Sequence, residues 1–155
     1  MKKSLLFVFL GMILTVTGCG GELLGFDDNK NDIRDDVEAY IDSLTFLTVA
    51  QRNSMMQMAQ VYQHIFQTDF YTADHQVNEV KINIIQSEID YASNCMVHAF
   101  GKNLELFESM VKALRRKVAD NDTRADKVKE FDKLSSTVYY NHIYFDGTED
   151  TCFFK

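Results

Sequence analysis

The amino-acid sequence predicts an all-α protein, built as an up-and-down bundle of four to five helices. Apolar residues recur at steps of three and four between residues 31 and 138, which is the spacing of amphipathic helices. The chain contains no proline, so no residue in it forces a break inside a long helix. The periodic segments are separated by helix-ending residues, such as Gly101 and the polar stretch 120–123.

The first residues have the arrangement of a secretory signal peptide. Two lysines precede an apolar run over residues 5–14, which is shorter than the ~20 apolar residues that span a bilayer. The following Val16-Thr17-Gly18-Cys19 resembles the lipobox of bacterial lipoproteins. The resemblance implies that residues 1–18 are a signal peptide that is removed, and that Cys19 then carries a diacylglyceryl group and an acylated amino terminus.

The same resemblance implies that the protein is located in the cell envelope. Several acyl chains together anchor a protein stably in a membrane. Position 20 is Gly rather than the Asp that retains enterobacterial lipoproteins in the inner membrane, which implies an outer-membrane lipoprotein facing the periplasm. The inner membrane and the cell surface remain alternatives. Residues 19–31 are rich in Gly, Asp and Asn and predict a lipidated tether, followed by the bundle domain over residues 32–155.

Five helical segments follow in order, over residues 31–46, 48–67, 75–100, 103–119 and 123–138. The second begins at Thr48, whose spacing from Gln51 matches a capping box. The third is the longest, and its wide apolar stripe predicts that it is the central helix. The fourth begins with acidic residues and ends in three basic ones, which complements the helix dipole.

The three cysteines are an odd number for an exported protein. If Cys19 carries lipid, as the lipobox resemblance implies, Cys95 and Cys152 remain to form a disulfide in an oxidising compartment. Such a bond ties the C-terminal tail to the third helix. A redox-active or metal-binding pair is the alternative, but the two cysteines are far apart and form no C-x-x-C motif.

Six aromatic residues crowd the C-terminal tail: Tyr139, Tyr140, Tyr144, Phe145, Phe153 and Phe154. One interpretation is that they cover the open side of the bundle. The other is that Tyr139, Tyr140, Tyr144 and Phe145 form a partner-binding surface, because aromatic residues are enriched at recognition sites. The covering role is the preferred interpretation.

Composition and motifs argue against several functional classes. Loss of the signal peptide removes two of 16 basic residues, which leaves 23 acidic ones and a net charge near −9. Such a chain is unsuited to nucleic acid, whose binding requires neutralised phosphates. No nucleophile–base pair, phosphate loop or zinc motif occurs, so we expect no enzyme.

Metal and haem sites are weaker alternatives. Met55 and Met58 lie one helical turn apart and precede His64, a set that suits copper, and His64 or His98 could bind a haem. Methionine at helical spacing is more often core filling. The expectation is therefore neither a cofactor nor a metal.

These observations favour an outer-membrane-anchored, non-catalytic helical module that binds another envelope protein. In outline it is similar to the helical pilotins that escort secretins, although no motif is shared. Two alternatives stay open. One is an immunity or exclusion lipoprotein that neutralises a toxin with its acidic surface. The other is a bundle that carries a metal, a haem or a small apolar ligand.

Overall fold

Six α-helices form the fold in the computed structural model, which describes residues 20–142 and Cys152. The helices are α1 (Gly20–Leu24), α2 (Asp35–Ser43), α3 (Val49–Gln67), α4 (Glu79–Phe100), α5 (Leu104–Val118) and α6 (Asp122–Ser135). Within the described ranges the sole extended pairing is an isolated bridge between Tyr71 and Val77. The predicted all-α class is confirmed. None of the described helices is both long and apolar enough to cross a membrane.

Side-chain caps determine where four of these helices begin. Thr48 and Gln51 form the predicted capping box at the start of α3. Asn78, Asn103 and Asn121 each accept a hydrogen bond from a first-turn backbone N–H of α4, α5 and α6. The apolar period predicted that the third helix begins at residue 75. The structure begins α4 after the Asn78 cap, and the residues before it form a turn in which Thr72 and Gln76 are hydrogen-bonded.

The central helix is α3, not α4 as the wide apolar stripe predicted. α3 contacts each of the other five described helices, and its side chains are buried on several faces. In α4, two apolar residues of the predicted stripe, Val80 and Ile84, are exposed, and so is Val97 outside that stripe.

Residues 20–31 lie on the bundle, in contrast to the tether that their composition predicted. The side chains of Leu23 and Leu24 pack against the hydrophobic core. Gln63 of α3 donates to the carbonyl oxygen of Leu24 at 3.1 Å, and Gln60 donates to that of Asn31 at 2.7 Å. Flexible tethers and loops that pack on a domain are both rich in polar residues, so composition does not distinguish them. The hydrogen bonds to Gln60 and Gln63, which lie far away in the sequence, do.

From the end of α6 onward, the described residues Ser135, His142 and Cys152 contact successive parts of α4. α6 ends at Ser135, before residue 138 where the predicted helix ended. Gln86 donates to the carbonyl oxygen of Ser135 at 3.3 Å, and one α4 turn later the ring of His142 contacts Asp90 at 3.3 Å. Further along α4, Cys95 forms a disulfide with Cys152, with their Cα atoms 4.9 Å apart. We call residues 136–142 together with Cys152 the C-terminal strap.

Candidate functional site

The lipidation site predicted at Cys19 lies outside the described residues, but its immediate neighbour begins α1. The local geometry of α1 therefore determines how a lipid on Cys19 would hold the bundle. α1 contacts α3 and α6. We call the charged residues that secure this region the N-terminal clamp, which comprises Arg34, Asp36, Lys117, Asp120 and Arg124.

Arg34 is the centre of the clamp. Its side chain is 2 % exposed, and its guanidinium pairs with Asp36 and Asp120, each at 2.8 Å. It also donates to the carbonyl oxygen of Val118 at 3.0 Å, one of the carbonyls that a helix C-terminus leaves unpaired. A guanidinium satisfies several acceptors at once, so the buried charge is compensated on three sides.

Arg124 connects the clamp to α1. Its Nη1 pairs with Asp120 at 2.5 Å, and its Nε donates to the carbonyl oxygen of Leu23 at 2.9 Å. The neighbouring Asn121 donates to the carbonyl oxygen of Glu22 at 3.2 Å. The last turn of α1 is thus hydrogen-bonded to the start of α6, which supplies the partners that helix-terminal carbonyls need.

Electrostatics keep the clamp ionised. Hydrogen bonds from Arg34, and a weaker contribution from Lys117, hold the pKa of the Asp36 carboxyl well below its usual range. Burial opposes ionisation of Asp120, but the hydrogen bonds from Arg124 and Arg34 outweigh it and lower its pKa. Both carboxylates therefore stay charged at every pH near neutrality.

Gly25 allows the chain to leave α1 beside this cluster. Its φ is +72°, in the left-handed region that favours glycine. A Cβ atom at this position would lie 2.6 Å from Cδ of Arg34, which is closer than atoms can approach. Composition alone marked Gly25 as a tether residue, and sequence reasoning missed the whole clamp because its members are far apart in the chain.

A second polar feature is an open cleft of about 530 Å³ between α3, α4 and the loop before α2. In it Nδ1 of His64 lies 2.7 Å from Oε2 of Glu88. Ser87 lines the same cleft, but its hydroxyl donates to the carbonyl oxygen of Ile84 in its own helix. Among the described side chains, His64 is hydrogen-bonded to the carboxylate of Glu88 and not to the hydroxyl of Ser87.

The residues considered for copper are not brought to one surface. Met55 and Met58 are buried in the core, at 0 % and 7 % exposure, whereas the side chain of His64 is 41 % exposed. Over the part of the chain that the structure describes, no three His, Cys, Asp or Glu residues are grouped to hold a metal ion. The methionines fill space between helices, as the core interpretation expects.

The four aromatic residues considered for partner binding do not share one environment. Tyr139 is 87 % exposed. Tyr140 is half-buried in the strap, and burial, together with the nearby Asp90, raises the pKa of its hydroxyl to about 12. Tyr144 and Phe145 lie outside the described residues, as do Phe153 and Phe154.

No protein-family model, curated protein or solved structure matches this chain. The function is therefore inferred from the residues and their geometry.

Proposed function

We propose that this protein is a lipid-anchored, non-catalytic helical module of the bacterial outer membrane that faces the periplasm and binds another envelope protein. The observation that carries the proposal is the docking of α1 on α3 and α6, immediately after the lipobox cysteine. Flexible attachment alone would not require α1 to be hydrogen-bonded beside a cluster that contains two buried arginines, Arg34 and Arg124.

The N-terminal clamp determines how the bundle is oriented relative to the lipid anchor. Leu23, whose carbonyl oxygen is hydrogen-bonded to Arg124, lies four positions after Cys19. Even a fully extended chain of that length spans less than about 15 Å. A lipid on Cys19 therefore holds the bundle by the end that carries the N-terminal clamp, which limits the surfaces that remain accessible to a partner.

The opposite end of the bundle carries exposed apolar residues. Val49 precedes Gln63 by fourteen residues along α3, which places the two about 21 Å apart. Phe46 and Val49 at that end are 65 % and 64 % exposed, and Leu104 at the start of α5 is 62 % exposed. We propose that this membrane-distal end contacts the partner, with Tyr139 of the strap as a second contact.

The absence of tryptophan from the chain allows a direct test of the orientation. Phe26 is 83 % exposed and lies two residues after α1, whereas Phe46 lies at the distal end. In lipidated protein reconstituted into bilayers that contain brominated lipid, the single tryptophan of Phe26→Trp should be quenched strongly and that of Phe46→Trp weakly. Equal quenching of both would contradict the orientation.

Partner binding is tested in the envelope of the producing cells. A photo-crosslinking amino acid at position 49 should yield one main adduct with a specific envelope protein. The adduct should be lost in Phe46→Asp and in Cys19→Ser, and retained in the matched surface change Asp42→Asn. An adduct that persists in Phe46→Asp would show that the distal end is not the binding surface.

A further inference from the structure

The connection between α1 and α2 has the residue spacing of a twelve-residue loop that binds calcium between two helices. Residues 27–38 read DDNKNDIRDDVE. In such a loop, oxygen ligands come from positions one, three, five, seven, nine and twelve, with a main-chain carbonyl at position seven and a bidentate glutamate at position twelve. Those six positions are occupied here by Asp27, Asn29, Asn31, Ile33, Asp35 and Glu38. Every side-chain position of the motif therefore carries an oxygen ligand of the required kind.

Position six is the one departure from the motif, which has glycine there because the backbone turns sharply. Asp32 occupies this position, and its φ is +61°, in the left-handed region that glycine favours. Aspartate is one of the few residues with a side chain that adopt this conformation. The loop thus makes the turn of the motif without the glycine.

The fold brings the early ligand positions to the last one. Oε1 of Glu38 accepts a hydrogen bond from the carboxamide of Asn31 at 2.6 Å, and Oε2 accepts one from the carboxamide of Asn29 at 2.9 Å. Rotating a carboxamide by half a turn exchanges its nitrogen and its oxygen. Both carboxamides can therefore direct an oxygen at a cation bound by Glu38. Because part of the ligand set is carboxamide and main-chain oxygen, the loop does not need the grouping of three His, Cys, Asp or Glu side chains that is absent from the described residues.

The carboxylates at the ligand positions lack a cationic partner. Within the described part of the chain, Asp27, Asp35 and Glu38 form no ion pair. Asp36, which is not at a ligand position, is instead paired with Arg34 of the N-terminal clamp. Three like charges on one short loop repel one another unless a cation lies among them. A set of oxygen ligands with a bidentate carboxylate suits Ca²⁺, whereas Mg²⁺ demands a smaller, strictly octahedral site.

We propose that the loop over residues 27–38 binds one Ca²⁺ ion through the six ligand positions, with Glu38 as the bidentate ligand and Asp35 acting through a water molecule. The same loop contains Arg34 and Asp36, so the ion and the N-terminal clamp hold one segment between α1 and α2. The proposal departs from the expectation of no metal, which was drawn from methionine and histidine residues. It is independent of the membrane anchor and of any protein partner.

Binding is measured by isothermal titration calorimetry on the lipidated protein in detergent, after treatment with a chelator. We expect a single site for Ca²⁺ with a dissociation constant of about 10⁻⁴ M, as in extracellular calcium modules, and binding of Mg²⁺ that is at least about ten-fold weaker. Saturating Ca²⁺ should also raise the midpoint of thermal denaturation, because the ion binds the folded loop and not the unfolded chain.

Two variants distinguish a built site from general attraction to acidic residues. Glu38→Gln keeps the size of the bidentate ligand but removes its charge, and it should weaken Ca²⁺ binding about ten-fold or more. The matched change Asp42→Asn, at an exposed position of the same helix, should leave the affinity unchanged. Asp32→Gly supplies the glycine of the motif while it removes a negative charge from the loop. A built site should bind Ca²⁺ at least as tightly in Asp32→Gly, whereas general attraction should become weaker.

Three results would overturn the proposal. The first is the absence of saturable Ca²⁺ binding up to about 10 mM, which lies above the range of calcium loops of this kind. The second is an equal affinity of Glu38→Gln and Asp42→Asn. The third is clearly weaker binding to Asp32→Gly than to the wild type.

Discussion

Arg34 and Asp120 form an ion pair of 2.8 Å across 86 positions of the chain. The pair joins the start of α2 to the connection between α5 and α6, where Arg124 shares the same carboxylate. Because Arg124 also donates to the carbonyl oxygen of Leu23, this aspartate links α1 and the start of α2 to the connection between α5 and α6. The docking of α1 and the packing of the later helices are therefore linked through Asp120.

The first prediction concerns this shared carboxylate. Asp120→Asn leaves two nearly buried guanidinium groups without their common counter-ion, and Asp120 itself is 33 % exposed, so solvent offsets part of the loss. We expect the free energy of unfolding to fall by about 1–3 kcal/mol in urea denaturation. The control is Asp126→Asn, which breaks the exposed pair with Lys129 and should cause no measurable change. Equal stabilities of the two variants would show that the clamp is dispensable.

The second prediction concerns pH. The folded-state pKa values of Asp36 and Asp120 are lowered, so their stabilising contribution is complete above the unfolded-state value of about 3.9 and is lost as the pH falls below it. Urea midpoints should be nearly constant from pH 7 to pH 5 and fall below about pH 4. The decline should be shallower in the Asp36→Asn, Asp120→Asn double variant. An identical acid profile for this variant would assign the acid sensitivity to other carboxylates.

The third prediction compares two glycines with positive φ. Gly101→Ala meets no atom within 4 Å, so it should cost only the strain of its backbone conformation (φ +57°, ψ −130°), which residues with a side chain rarely adopt and which costs about 1–3 kcal/mol. Gly25→Ala adds a collision with Arg34, whose side chain cannot retreat because the clamp holds it. Thermal denaturation should rank Gly25→Ala as clearly less stable than Gly101→Ala. The reverse order would mean that Arg34 is free to move.

The fourth prediction concerns the disulfide. The bond between Cys95 and Cys152 closes a loop with a sequence separation of 57 residues, which contributes about 4 kcal/mol in the chain-entropy description. Cys152→Ser should lower the free energy of unfolding by up to that amount. Mass spectrometry of the unreduced wild type should find a cross-linked peptide that contains both cysteines. Alkylation of both thiols in native, unreduced protein would contradict the prediction.

Some features of the fold can be predicted from the local sequence. The helix that opens at Thr48 needs only its own capping box, and α5 ends close to its basic last turn. The helical period, the helix caps and the charges that complement the helix dipole all depend on residues three or four positions apart. They can therefore be recognised in the sequence. The same holds for the all-α class, and for the predicted periodic segments that correspond to α2 to α6.

Tertiary structure alone decided the remaining features. Whether Leu23 and Gly25 belong to a tether or to a docked segment depends on Gln63, Arg34 and Arg124, residues that the chain brings together only on folding. The choice of α3 as the central helix likewise depends on how the helices are arranged in space. Contacts between residues so far apart in the chain produce no periodic pattern in the sequence. The intervening chain can form a loop of almost any sequence, so the residues next to each partner do not indicate the contact.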